Sequence, residues 1–143
     1  IQIGDEVILH HNVFRRWYDQ HGNERNSRSF IDEHTYCVSS EQIFLYKHKD
    51  KWIAPDDYCF VKPIKSYDNF SDDKEQQLVG VLKYSNNSLD ALGLTENTLV
   101  GFSPYSKFEF VIERERLYRV LTNSITIKYE YQGQEEEYNP SWL

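Results

Sequence analysis

The chain has 143 residues, 39% hydrophobic and 15% aromatic, with a formal net charge of -7. That length suits one domain or two small β units, and 6 Gly with 4 Pro are too few for collagen-like or low-complexity structure. The acidic balance speaks against nucleic acid as a partner, because phosphate binding needs a concentrated basic surface; Arg15, Arg16, Arg25 and Arg28 are interrupted by Asp19 and Glu24 and read as solvated loop charge.

Residues 1–9 read as strand, Gly4-Asp5 turn, strand, with Glu6-Val7-Ile8-Leu9 apolar and β-branched. Residues 19–29, polar and centred on Gly22-Asn23, read as a long hairpin tip. Residues 30–38 return as a strand, 39–41 turn, and 42–46 form another strand. Residues 47–51 are a charged hairpin tip, Trp52-Ile53 opens a new segment, and Pro55-Asp56-Asp57 turns. Residues 58–64 are a strand whose Pro63 belongs at an edge or exit. Residues 66–77 are polar and acidic, the signature of a mobile loop. Strands follow at 78–84, 99–102, 108–112, 117–121 and 125–131, with one helical turn at 88–92. An added hairpin is expected after Tyr129, ending in Pro140-Ser141-Trp142-Leu143. Short strands between turns predict an all-β barrel or sandwich.

Two stretches share a layout. Glu6-Val7-Ile8-Leu9 is followed by Tyr36, Val38 and Ile43; Leu99-Val100-Gly101-Phe102 is followed by Tyr118, Val120 and Ile125. In both copies Tyr, Val and Ile fall two and then five residues apart. Each copy reads as a strand, a hairpin return and a closing strand that ends in the Ile.

Several segments carry a family resemblance. Asp57-Tyr58-Cys59-Phe60-Val61-Lys62-Pro63-Ile64 is similar to the opening strand of GroES-type co-chaperonins, and Val79-Gly80-Val81-Leu82 to the strand after their mobile loop. Residues 94–102, the pair 108–112 and 117–120, and Ser124-Ile125 resemble the rest of that unit in order, while Ile3-Gly4-Asp5-Glu6-Val7 and Gln42-Ile43 resemble part of a second. The resemblance implies an all-β fold: a GroES-like irregular β-barrel with an extra half-repeat at the N-terminus and a C-terminal hairpin extension. It divides the chain into residues 1–53 (partial repeat), 54–128 (barrel unit) and 129–143 (extension). It implies a ring-forming homo-oligomer that caps or assists a chaperonin in protein folding, with Tyr67 and Phe70 as the loop residues that touch the partner. The duplication and tail are similar to co-chaperonin-like proteins of bacterial viruses, which implies a cytoplasmic setting in a bacterium or a phage-infected host. The alternative is a structural or decoration protein of a virion that keeps the barrel for assembly.

No catalytic or cofactor chemistry is expected. The chain has no G-x-S-x-G, H-E-x-x-H, P-loop or G-x-G-x-x-G. His10 and His11, read as strand neighbours, should face opposite sides and so not share a metal; a site in which His34 and Cys37 join one of them across a hairpin is the less favoured alternative. Glu135-Glu136-Glu137 reads as solvated charge. Cys37 and Cys59 sit in apolar runs and are expected as two buried free thiols, with a disulfide as the alternative. No apolar run approaches the roughly 18 residues of a membrane helix, so no membrane partner is expected. The opening on Ile1 without Met leads to an expectation of residues upstream.

Overall fold

A computed structural model of the chain describes residues 1–66 and 75–142. The fold is mostly β, with antiparallel sheets and one short helix. It divides into two compact units, Ile1–Trp52 and Ile53–Leu143.

The first unit is built on a three-stranded sheet in the order β1 (Glu6–Leu9), β6 (Ile43–His48), β7 (Lys51–Ile53), whose last strand runs one residue across the boundary. Lys49 and Asp50 link β6 to β7 with φ of 51° and 62°, the backbone of a two-residue type I′ turn. Two small hairpins lie between β1 and β6: β2 (Arg16–Tyr18) with β3 (Glu24–Asn26), and β4 (Phe30–Asp32) with β5 (Thr35–Tyr36). Val13, Phe44 and Leu45 are buried.

Several sequence expectations change here. Residues 1–3 form no strand, and the tip at 47–51 narrows to Lys49-Asp50. The tip at 19–29 is shorter, because residues 24–26 already form β3. Residues 30–38 are not one strand: Asp32 Oδ1 accepts the His34 N–H at 2.9 Å, and this side-chain turn breaks the run into β4 and β5. Cys37 follows β5 and is exposed, so only Cys59 is a buried thiol; both are free. His10 and His11 do not sit on opposite faces of a strand. The chain enters a 3-10 turn (His11–Phe14) immediately after β1, which stacks the two rings with centroids 4.3 Å apart.

The second unit is a six-stranded sheet in the order β11 (Phe108–Ile112), β12 (Glu115–Leu121), β8 (Tyr58–Lys65), β9 (Glu75–Tyr84), β10 (Leu99–Phe102), β13 (Ile125–Tyr129). Its order is open, and no closed barrel is formed among the described residues. The central strands are buried on both faces, so they read as continuous apolar runs rather than alternating ones. Cys59, Val61, Leu82, Val100, Phe102, Tyr118 and Val120 pack with Leu89 of α1 (Asn87–Ala91). The alternate residues Ile64, Val79, Val81 and Leu99 form a second cluster. Gly80 is required by close packing: a Cβ there would lie 2.8 Å from the Lys62 carbonyl oxygen of β8.

The spacing repeat has a structural counterpart. β1 pairs antiparallel with β6 and β10 with β13, each with a register shift before the last pair, Leu9↔Ile43 and Phe102↔Ile125. A 3-10 turn precedes each closing strand, Ser40–Gln42 and Thr122–Ser124. The same bond closes each pair: His10 N–H to Gln42 O and Ser103 N–H to Ser124 O, both 2.8 Å. The copies differ between these strands, since Tyr118 and Val120 share β12 whereas Val38 lies outside β5.

Candidate partner-binding site

The loop assigned to partner binding, residues 66–77, joins β8 to β9 and is shorter than expected, because residues 75–77 already belong to β9. Tyr67 and Phe70 lie outside the described residues; the stem that carries them does not. β8 and β9 pair antiparallel as far as Lys65↔Glu75, so the connection springs from the end of a hairpin.

Glu75, the first residue of β9, ties that stem to the β11–β12 hairpin. Its Oε2 accepts from Arg116 Nη1 at 2.5 Å, and its Oε1 accepts the Tyr118 hydroxyl at 2.5 Å. Arg116 also donates to Glu109 Oε2 at 3.3 Å and to the Tyr118 hydroxyl oxygen, and Lys107 Nζ lies 3.9 Å from Glu75 Oε1. Alternation explains the grouping, since Arg116 and Tyr118 are two apart on β12 and project to one face. Burial and then the bond to Glu75 push the Tyr118 phenol well above its ordinary range. It therefore stays protonated and donates. The network holds carboxylate, guanidinium and phenol together as a brace.

The other side of the stem is shaped by Pro63. β12 pairs with β8 only from Leu121↔Tyr58 to Tyr118↔Val61. Pro63 has no N–H to continue that ladder, so the β8 edge beyond Val61 is left to another segment. Residues 135–139 take it. Glu137 forms an antiparallel bridge with Ile64, Lys65 N–H donates to Glu136 O at 2.8 Å, and Tyr138 N–H donates to Pro63 O at 2.8 Å. Lys65 Nζ pairs with Glu136 at 2.9 Å, and Lys83 pairs with Glu137. The hairpin expected after Tyr129 is therefore replaced by a strap against β8, and two of the three consecutive glutamates are paired rather than simply solvated.

Lys62 lies beneath the strap with 0% exposure. Its Nζ donates to Asn139 Oδ1 at 2.7 Å and to the Arg116 carbonyl at 3.2 Å. Burial lowers its affinity for a proton; Glu115 and Glu137 work in the opposite direction without cancelling the effect. Sequence reasoning singled out the loop but not Glu75, Arg116, Lys62 or the strap. One signal was present for Lys62, a single charge inside an otherwise apolar run.

No group of three or more His, Cys, Asp or Glu suited to a metal ion occurs among the described residues, and no helix among them is long and apolar enough to cross a membrane. No family model matches the chain, and no curated protein or solved structure matches it either.

Proposed function

We propose that this chain is a non-catalytic protein-binding module of co-chaperonin type, a GroES-like barrel relative whose copies assemble into a ring and whose 66–74 connection contacts a chaperonin through Tyr67 and Phe70. The observation that carries the reading is the braced stem: Glu75 is tied to Arg116 and Tyr118 on one side, and Lys65 to Glu136 on the other. A docking loop gains from a rigid base, because less freedom is then lost on binding. Weak contacts from each copy would add through avidity. The repeated strand pairing supports the partial duplication in the same reading.

Native mass measured with and without a chaperonin and ATP tests this. A ring that shifts to the chaperonin's mass, and loses the shift when Tyr67 and Phe70 become Ala, is expected. A chain that never joins the chaperonin refutes it. A second reading, a structural or decoration protein, is favoured by the edge strands, where Phe108 and Val111 of β11 and Ile127 and Tyr129 of β13 are exposed. Recovery in purified particles would support that reading, and a free soluble ring would exclude it.

A further inference from the structure

We propose that the β8 edge at Pro63–Lys65 is a docking slot for an acidic extended peptide, and that residues 135–139 fill it in cis as a built-in ligand. The slot exists because Pro63 ends the β12 ladder. It offers one backbone acceptor, Pro63 O, and one backbone donor, Lys65 N–H, the pattern by which an added strand binds a sheet edge. Three ammonium groups surround these: Lys65 on Glu136, Lys83 on Glu137, and Lys62 on the Asn139 side-chain oxygen. The matching peptide is extended, carries carboxylates at two successive positions, and presents a side-chain oxygen two residues further on.

The occupant is held loosely enough to exchange. Backbone pairing with β8 amounts to a single bridge made by two hydrogen bonds. The Lys65–Glu136 pair is exposed, with side-chain accessibilities of 50% and 65%, and such pairs are weak. The strap is approached through residues 130–134, where the Gln132 and Gly133 N–H groups are satisfied locally by the Glu135 carboxylate. Opening the strap therefore leaves the β8–β9 ladder intact, and local openings of this kind cost less than global unfolding. The slot adjoins the stem of the 66–74 connection, but the inference does not depend on the proposed function.

The test uses the full chain and a labelled peptide of residues 134–142, followed by fluorescence anisotropy. In a chain carrying Glu136→Lys and Glu137→Lys, the strap is repelled and the slot is intact. The peptide should bind this variant at least tenfold more tightly than the wild type, and adding Lys65→Glu and Lys83→Glu should abolish binding. Equal binding to wild type and variant, binding that survives the lysine reversals, or self-association of the variant without peptide binding would each overturn the proposal. A measurement on the unmutated chain guards against misfolding of the variants. Lys65 and Tyr138 amide protons should exchange faster than those of Val61 and Leu82; exchange only through global unfolding would make the strap a fixed part of the sheet and sink the idea.

Discussion

Replacing Glu75 with Ala removes the acceptor shared by Arg116 and Tyr118 at the base of the 66–74 connection. The side chains of Glu75 and Arg116 are 15% and 12% exposed, so solvent screens the pair only in part. Breaking a fully buried pair costs about 3–5 kcal/mol, while exposed pairs are worth about 0.2–1 kcal/mol. Arg116 keeps Glu109, which lowers the penalty, but the Tyr118 hydroxyl loses its acceptor at a further cost of about 1 kcal/mol. The sum falls near 2–3 kcal/mol, and each kcal/mol corresponds to roughly 4–8 °C of melting temperature in a unit of this size. Urea unfolding of Glu75→Ala, Arg116→Ala and the double variant gives both the loss and the coupling. A coupling of at least about 1 kcal/mol is expected for contacting residues. A Glu75→Ala loss below about 0.5 kcal/mol would place the cluster among ordinary surface pairs and refute the brace.

Asn86 caps α1 by accepting the Leu89 N–H, and its Nδ2 faces the Tyr58 carbonyl at 2.7 Å, Thr122 Oγ1 at 2.9 Å, and the Pro55 and Asp56 carbonyls at 3.2 Å. Asn86→Ala should cost about 2–4 kcal/mol in denaturant titrations; Asn86→Asp should cost more, because a good cap residue would set a negative charge against those oxygens. Glu113 and Arg114 join β11 to β12 with φ of 50° and 66°, so Asn-Gly at these positions should raise stability by about 1 kcal/mol in thermal unfolding. In the folded chain a thiol reagent should modify Cys37 alone, because Cys59 is buried and its thiol is pushed up to about 12; two thiols reacting at equal rates would contradict the packing. Tyr118 has a raised folded-state pKa, so its contribution is complete below the ordinary value of 10.0 and is lost as pH rises above it and the unfolded phenol ionises. The alkaline slope of stability should be shallower in Tyr118→Phe than in the wild type.

Much of the strand pattern was legible because short apolar runs between turn residues carry their own signal. The spacing repeat pointed to a closing strand in each copy, but that this strand starts at Ile43 or Ile125 and pairs with the opening strand is decided by the fold. The polar break inside residues 30–38 was not, because the deciding bond runs from the Asp32 side chain to the His34 amide, and propensity over nine residues outweighs one turn. Cys37 was misjudged for a related reason: an apolar neighbourhood along the chain is no guide to burial once the strand ends at Tyr36.

By itself the sequence determined an acidic, mostly β chain, a polar connection after residue 65, and a proline suited to the edge or exit of its strand. Tertiary structure alone decided which groups meet at that connection. Glu75 and Arg116 are 41 residues apart and Lys62 and Asn139 are 77 apart, and no local preference specifies such pairs. The Lys62–Asn139 contact forms because β12 leaves β8 at Pro63, which opens an edge whose backbone groups and buried ammonium must be satisfied by another part of the chain.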